Sequence, residues 1–309
     1  MKIILVADFY NNSGKSKPHN TAKKLSFKSL PCLLSSYTDC YGVQRCSQHT
    51  TDLREDLDYD KLAGIVYDSV KSRLPQKRKK FLLFRRKSVQ NFVNSIEILP
   101  KVTIYSMAGS DATEAYAMAN SIIGKMGFEN AQKYVFPIHV SDVSKKIIEQ
   151  YGEKGVVFLS DTEIEKLKYI NKYLTCTGNK YPQHPGYKEY ILAPEFRNCF
   201  TFEVMDLQEK IEKFPPKKEN EFCIFAIRNC LAQAFGSLET DILLDKMAEH
   251  LPHGSLAIFG DYDTKIRMPS VFAHSYHIKP IDYKNNIYKI FSVKKFFGAC
   301  EELLNILGK

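Results

Sequence analysis

The sequence of 309 residues has no tryptophan, no C-x-x-C pair and no long hydrophobic run. No stretch approaches the roughly 20 apolar residues that a membrane-spanning helix needs. Asp8 ends the hydrophobic opening well short of a signal-peptide core. The eight cysteines are scattered, which is typical of reduced thiols rather than of a disulfide framework. We therefore expect a cytoplasmic globular protein with no membrane span.

Two motifs that would define a metal or nucleotide site are incomplete. Three cysteines and one histidine within residues 32–49 could supply four zinc ligands, but their spacing matches no common zinc pattern. Ser-Gly-Lys-Ser at 13–16 resembles the end of a phosphate-binding loop, but Phe9 stands where that loop needs its first glycine. We predict neither a metal site nor nucleotide hydrolysis.

Negative charge is scarce in the first third of the chain. Residues 1–100 carry 18 Lys and Arg against 9 Asp and Glu, whereas the rest carries 26 of each. The surplus is concentrated between residues 73 and 87. Such a segment could contact nucleic acid, an anionic membrane or an acidic protein, or could be a solvated helix face.

From residue 102 onward, strand and helix patterns alternate. Strands are predicted at 102–105, 134–140, 200–204, 222–227, 255–259 and 287–291, and helices at 113–126, 143–151 and 238–250. This alternation is typical of parallel βαβ units and predicts an α/β protein with a doubly wound sheet. Turn signals within residues 172–199 break the rhythm and indicate a small antiparallel insertion.

These patterns divide the chain into three parts. Residues 1–95 form a basic N-terminal region that becomes helical from about residue 59, and residues 96–291 form the α/β domain. Residues 292–309 have apolar side chains at helical spacing, which predicts an amphipathic C-terminal helix. The pattern leaves the oligomeric state open.

Polar residues directly follow the predicted strands. A loop of small residues at 106–112 leads into a helix, Asp142 and Asp206 follow later strands, and Arg228 and Asn229 follow another. Carboxyl ends of parallel strands meet at one edge of a sheet, so we expect a shared site for an adenosyl ligand there.

The same residues have structural alternatives. Asp111 and Glu114 have the spacing of a helix capping box. Asp142 and Asn229 could each be the N-cap of a following helix.

The order and wording of these segments resemble the chemotaxis-receptor glutamate methyltransferases (CheR-type). That family's Trp-Ser-Ala-Gly-Cys-Ser/Thr-Gly-Glu-Glu-x-Tyr loop is similar to residues 105–116, and its Cys-Arg-Asn-Val-Leu-Ile-Tyr-Phe segment is similar to residues 227–234. Further similar segments lie at 83–85, 140–143, 202–207, 251–260 and 287–289. The resemblance covers roughly residues 60–291, in order.

The resemblance implies a class I, Rossmann-like S-adenosylmethionine (SAM) methyltransferase fold. In some members the small β-subdomain, here at about 172–199, docks a receptor tail peptide. The family further implies a protein-glutamate O-methyltransferase acting on a protein substrate such as a chemoreceptor. Arg85 would lie beside the transferred methyl and could hold the acceptor carboxylate with a bidentate fork. The residues implied to line SAM are Ala108, Gly109, Glu114, Asp142, Asp206, Leu207, Arg228 and Asn229.

Several positions depart from the family. Ala108 and Ala112 replace glycines, Asp206 replaces an asparagine, Gln233 replaces a tyrosine, and Arg86 replaces an acidic residue. The alternative function is therefore a catalytically weak SAM-binding or scaffolding protein with the same fold. A nucleic-acid methyltransferase is disfavoured, because no Asn/Asp-Pro-Pro-Tyr motif is present to hold a flipped base.

Overall fold

A computed structural model describes most of the region from residue 57 to residue 290. The described residues are 37–38, 44–45, 57–74, 101–181, 184–214, 221–228, 230–231, 235, 237–266, 278–282 and 284–290. Arg85, Asn229, the cysteines and histidine within 32–49, and the predicted C-terminal helix lie outside them.

The main sheet has seven strands. They are β3 Lys101–Met107, β4 Ile138–Asp142, β8 Phe200–Val204, β9 Glu221–Ile227, β10 Leu256–Phe259, β11 Ile278–Asp282 and β12 Ile287–Ile290. Across the sheet the order is β11, β12, β10, β9, β3, β4 and β8. Neighbours among β3, β4, β8, β9 and β10 pair in parallel, whereas β12 is antiparallel to both β10 and β11. Two short strands, β1 (Tyr37–Thr38) and β2 (Gln44–Arg45), pair separately.

The described helices connect these strands. They are α1 Tyr59–Arg73, α2 Thr113–Met126, α3 Phe128–Tyr134, α4 Lys145–Ile147, α5 Asp161–Lys166, α6 Pro194–Arg197, α7 Leu207–Glu212, α8 Ser237–His250 and α9 Asp261–Ile266. A π-helical turn, Ile148–Glu153, follows α4 directly. In the part of the chain that the structure describes, no helix has the length and apolar character needed to cross a membrane.

Alternating side chains place an apolar core on each face of the sheet. Ile104 on β3 is buried with Leu62 of α1 and Ile122 of α2. Met107 on the same strand points to the other face, where it is buried in a cluster with Leu244 of α8. Because successive strand residues point to opposite faces, both faces of the central strands are apolar and covered by helices.

A second, smaller sheet stands beside the main one. It contains β5 (Val156–Ser160), β7 (His184–Leu192) and β6 (Leu174–Tyr181), in that order, and all its pairs are antiparallel. The sequence indicated an antiparallel insertion at 172–199, but the small sheet begins earlier because β5 pairs along β7.

The topology confirms the predicted doubly wound α/β sheet. The helix predicted at 113–126 and the strand predicted at 200–204 match α2 and β8. The strand predicted at 134–140 is partly wrong, because α3 extends to Tyr134 and β4 starts only at Ile138. The strand β11 was not predicted.

Candidate functional site

The carboxyl ends of β3, β4 and β8 are joined by backbone hydrogen bonds. The Gly109 amide, just after β3, donates to the carbonyl oxygen of Ser141 at 2.9 Å. The Met205 amide, just after β8, donates to the carbonyl oxygen of Asp142 at 2.9 Å. The structure therefore brings the predicted loop and the predicted carboxylate together at one edge of the sheet.

The loop after β3 has an unusual backbone. Ala108, Ser110 and Ala112 all have positive φ, at 54°, 49° and 62°. This left-handed conformation costs an L-residue about 1–2 kcal/mol relative to the right-handed one. The two alanines that replace family glycines thus keep a glycine-like backbone and bear the strain of doing so.

Gly109 lies between these strained residues and packs closely against the neighbouring strand, β4. A Cβ atom here would lie 2.7 Å from Cγ1 of Val140 and 2.9 Å from Oγ of Ser106. The missing side chain therefore lets the loop pack against β4. The sequence associated Gly109 with cofactor binding, and the structure gives it this packing role.

Asp142 holds the loop from the end of β4. Its side chain is buried, with 9% of the residue exposed. One carboxylate oxygen accepts from the Ser110 amide at 3.1 Å, and the other accepts from the Ser144 amide at 2.9 Å. The N-cap alternative for Asp142 is wrong, because Ser144 is the N-cap residue of α4. A carboxylate offers about four acceptor positions, so Asp142 can hold the loop and still receive ligand hydroxyls.

Glu114 forms a buried ion pair instead of the expected capping box. Its Oε2 atom accepts from Nη1 of Arg228 at 3.2 Å, and the two side chains are 10% and 1% exposed. The N-cap position of α2 is Ala112, which makes no side-chain capping bond, and Asp111 accepts from the Thr113 amide at 3.2 Å. The capping-box alternative is therefore wrong.

Asp206 caps a helix. Its Oδ1 atom accepts from the amides of Gln208 at 2.9 Å and Glu209 at 3.3 Å, which makes it the N-cap of α7. Leu207, the next residue, is buried in the apolar cluster beneath the sheet. The structure thus gives both predicted cofactor residues a structural role, and a ligand contact from either one stays a prediction.

Two buried hydroxyls at the start of α2 were missed by the sequence reasoning. Thr113 Oγ1 and Tyr116 OH are both buried and have no hydrogen-bond partner among the described residues. Burial, with a further contribution from the charge of Asp111, raises the pKa of Tyr116 above its usual range, so the phenol stays protonated. Unsatisfied buried hydroxyls cost free energy, and a bound ligand is one way to meet that cost.

A cavity of about 660 Å³ lies between α1, α2 and the turn at residues 165–169. Tyr59 lines this cavity. None of the residues that the sequence predicts to bind the cofactor lines it. Among the described residues, no group of His, Cys, Asp and Glu side chains has the arrangement of a metal site.

The family model described as "CheR methyltransferase, SAM binding domain" matches residues 71–277, which is more than half of the chain. No curated protein matches the sequence.

Among solved structures, one similar chain is the O-methyltransferase family 2 protein from Planctomyces limnophilus DSM 3776, in complex with apigenin. The identity is 14%, the match covers 80% of this chain and 56% of that one, and the TM-score is 0.28. This chain therefore spans little more than half the length of that neighbour.

Proposed function

Because this chain belongs to the CheR methyltransferase family through its SAM-binding domain, we propose that it transfers a methyl group from SAM to a carboxylate on a protein. The fold is the α/β methyltransferase fold of that family, and its cofactor is SAM. The protein substrate, and the glutamate side chain as methyl acceptor, are parts of the proposal.

The contact between Asp142 and the loop after β3 is the observation that carries the proposal. The buried Asp142 carboxylate accepts a hydrogen bond from the Ser110 amide, so this carboxylate and the loop backbone lie together at the sheet edge. The residues present fit a nucleoside-bearing cofactor, because Thr113 adds a buried hydroxyl with no described partner at the same loop. Asp142 would hold the ribose hydroxyls, and the loop would hold the rest of the ligand.

SAM would supply a methyl group carried on a sulfonium sulfur, and the acceptor oxygen would attack the methyl carbon in line and displace the sulfur. The carboxylate oxygen forms the new C–O bond, the C–S bond breaks, and its electron pair stays on sulfur. The products are a methyl ester and S-adenosylhomocysteine. The protein gains rate chiefly by alignment of the two reactants, and we assign Arg85 to holding the acceptor carboxylate ionised and oriented.

The small sheet is the proposed contact for a protein partner. Residues 175–180 on its outer strand, β6, are exposed, and an extended peptide can add to such an edge through backbone hydrogen bonds. We propose a chemoreceptor-like protein as that partner, and the cytoplasm as the location. Among the described cysteines, Cys176 and Cys199 are free thiols, which supports a reducing compartment.

A second function is supported by the strained loop. Ala108 and Ala112 both stand where the family has glycine, but Ala112 is buried in the apolar core, whereas Ala108 is half-buried in the loop. The methyl group of Ala108 favours a protein that binds SAM weakly or keeps the fold as a scaffold.

Two measurements in sequence separate these functions. Calorimetric titration with SAM measures binding, and labelled SAM with candidate receptor proteins measures base-labile methyl transfer. We expect Arg85→Ala to keep SAM affinity while transfer collapses, because the lost contact orients the acceptor. Arg86→Ala is the matched control and should change turnover little. Equal losses in both variants, reproduced by added salt, would show that the region acts only through its charge.

A further inference from the structure

The guanidinium of Arg228 needs several partners, because it is almost completely buried. Arg228 directly follows β9, and its side chain is 1% exposed. Arginine stays protonated in proteins, and a buried charge is strongly destabilising unless it is paired and hydrogen-bonded. The groups that surround Arg228 therefore fix where its charge lies.

Two of these partners come from different helices. Arg228 Nη1 donates to Glu114 Oε2 at 3.2 Å and to the hydroxyl of Tyr59 at 3.1 Å. Glu114 lies in the first turn of α2, next to the loop after β3, and Tyr59 is the first residue of α1. One nitrogen atom thus joins a carboxylate of the cofactor edge to the start of an N-terminal helix.

The start of α1 is itself held in place by distant residues. The Asp58 amide donates to Oδ1 of Asn285 at 3.2 Å, across 227 residues of sequence. Lys61 forms an ion pair with Asp282, and Asn285 donates to the same carboxylate at 2.8 Å. The hydrogen bond from Lys61 is the main reason that the pKa of Asp282 falls to about 2. Tyr59 lies between these two anchored residues, so its hydroxyl has a defined position.

We propose that Tyr59 is a positioning residue for the SAM site, acting through Arg228 on Glu114. Because Arg228 donates to the Tyr59 hydroxyl as well as to Glu114, it holds the Glu114 carboxylate without pulling it into closer contact. Without the hydroxyl, the guanidinium moves closer to Glu114 and withdraws that carboxylate from the cofactor. This inference rests on the proposed function only in that Glu114 must contact the cofactor.

Tyr59→Phe removes the hydroxyl and keeps the ring. We expect it to weaken SAM binding about 3- to 10-fold in calorimetric titration, the range for loss of one hydrogen bond, while the melting temperature stays near that of the wild type. Tyr67→Phe is the matched control, because Tyr67 is half-buried on the same helix and its described ring contacts are with Lys71 and Lys125. It should bind SAM like the wild type.

A double-mutant cycle tests whether Tyr59 acts through Glu114. In a Glu114→Gln background, adding Tyr59→Phe should not weaken SAM binding further, because the carboxylate that it positions is gone. A general structural role would instead give equal losses in both backgrounds. If Glu114→Gln does not fold, Arg228→Lys supplies the second background, with the same expectation.

The outcomes separate this inference from the proposed function. Wild-type affinity in Tyr59→Phe, or equal losses in both backgrounds, would overturn the inference while the wild type still binds SAM. If the wild-type protein binds no SAM, the cofactor site and the inference fail together.

Discussion

The loop after β3 and the start of α7 occupy the same edge of the sheet but are built in opposite ways. The loop has three non-glycine residues with positive φ and leads to a buried hydroxyl, on Thr113, with no described partner. At α7, Asp206 satisfies two helix amides with ordinary extended backbone. Backbone strain and unsatisfied polar groups are typical of ligand sites, and the loop after β3 has both, whereas the start of α7 satisfies its own amides.

The largest expected effect is at Asp142, which holds the loop after β3. Asp142→Ala leaves the amides of Ser110 and Ser144 without their acceptor, so we expect the free energy of unfolding to fall by about 2–3 kcal/mol. SAM binding should weaken by about 1.5–3 kcal/mol. Denaturant unfolding and calorimetry measure the two effects. Unchanged SAM affinity in a folded variant would remove Asp142 from the site.

The packing of the loop against β4 is tested at Gly109. Gly109→Ala places a methyl group 2.7 Å from Val140 Cγ1, and we expect a loss of about 1–3 kcal/mol in unfolding free energy. Gly64→Ala is the control, since its added Cβ meets no described residue outside its own helix turn within 4 Å and it is inside α1. That variant should be stabilised by about 0.5–1 kcal/mol. Equal effects of the two variants would contradict the packing role.

The start of α7, which has no backbone strain, is tested at Asp206. Asp206→Ala should cost about 1 kcal/mol of stability through the lost helix cap. Asp206→Asn should cost almost nothing, because asparagine caps equally well. Thermal or chemical unfolding of the pair measures the difference. A loss in Asp206→Asn as large as in Asp206→Ala would show that the charge, and not the cap, is what matters.

The smallest expected effect is relief of the backbone strain in the loop after β3. Ala108→Gly and Ala112→Gly should each raise the unfolding free energy by about 0.5–1 kcal/mol, because glycine adopts positive φ without a steric penalty. Ala117→Gly, within α2, should lower it by about 1 kcal/mol. Destabilisation at 108 and 112 would mean that the loop is not strained.

Local patterns predicted the elements that have strong periodicity. The α2 helix was predictable because its apolar residues recur at helical spacing. The strand β8 was predictable because apolar and polar residues alternate, and β9 because it is a short apolar run. The helix α3 was missed because a seven-residue segment, Phe128–Tyr134, carries too few periodic positions to distinguish it from the strand that follows.

In the candidate site, too, only the features with a local sequence signal could be predicted. The loop at 106–112 and Asp142 were predictable, since their places at strand ends follow from chain order. The pairing of Glu114 with Arg228, 114 residues away, has no local signal, and the spacing at 111–114 favoured a capping box instead. The contact from Tyr59 to Arg228 spans 169 residues and depends wholly on how α1 packs.

Calorimetric titration of the wild-type protein with SAM tests whether the sheet edge that holds Asp142 and the strained loop binds the cofactor. We predict saturable one-to-one binding that is weakened in Asp142→Ala and retained or strengthened in Ala108→Gly. Absence of SAM binding in wild-type protein that is folded, or binding that Asp142→Ala leaves unchanged, would contradict the claim.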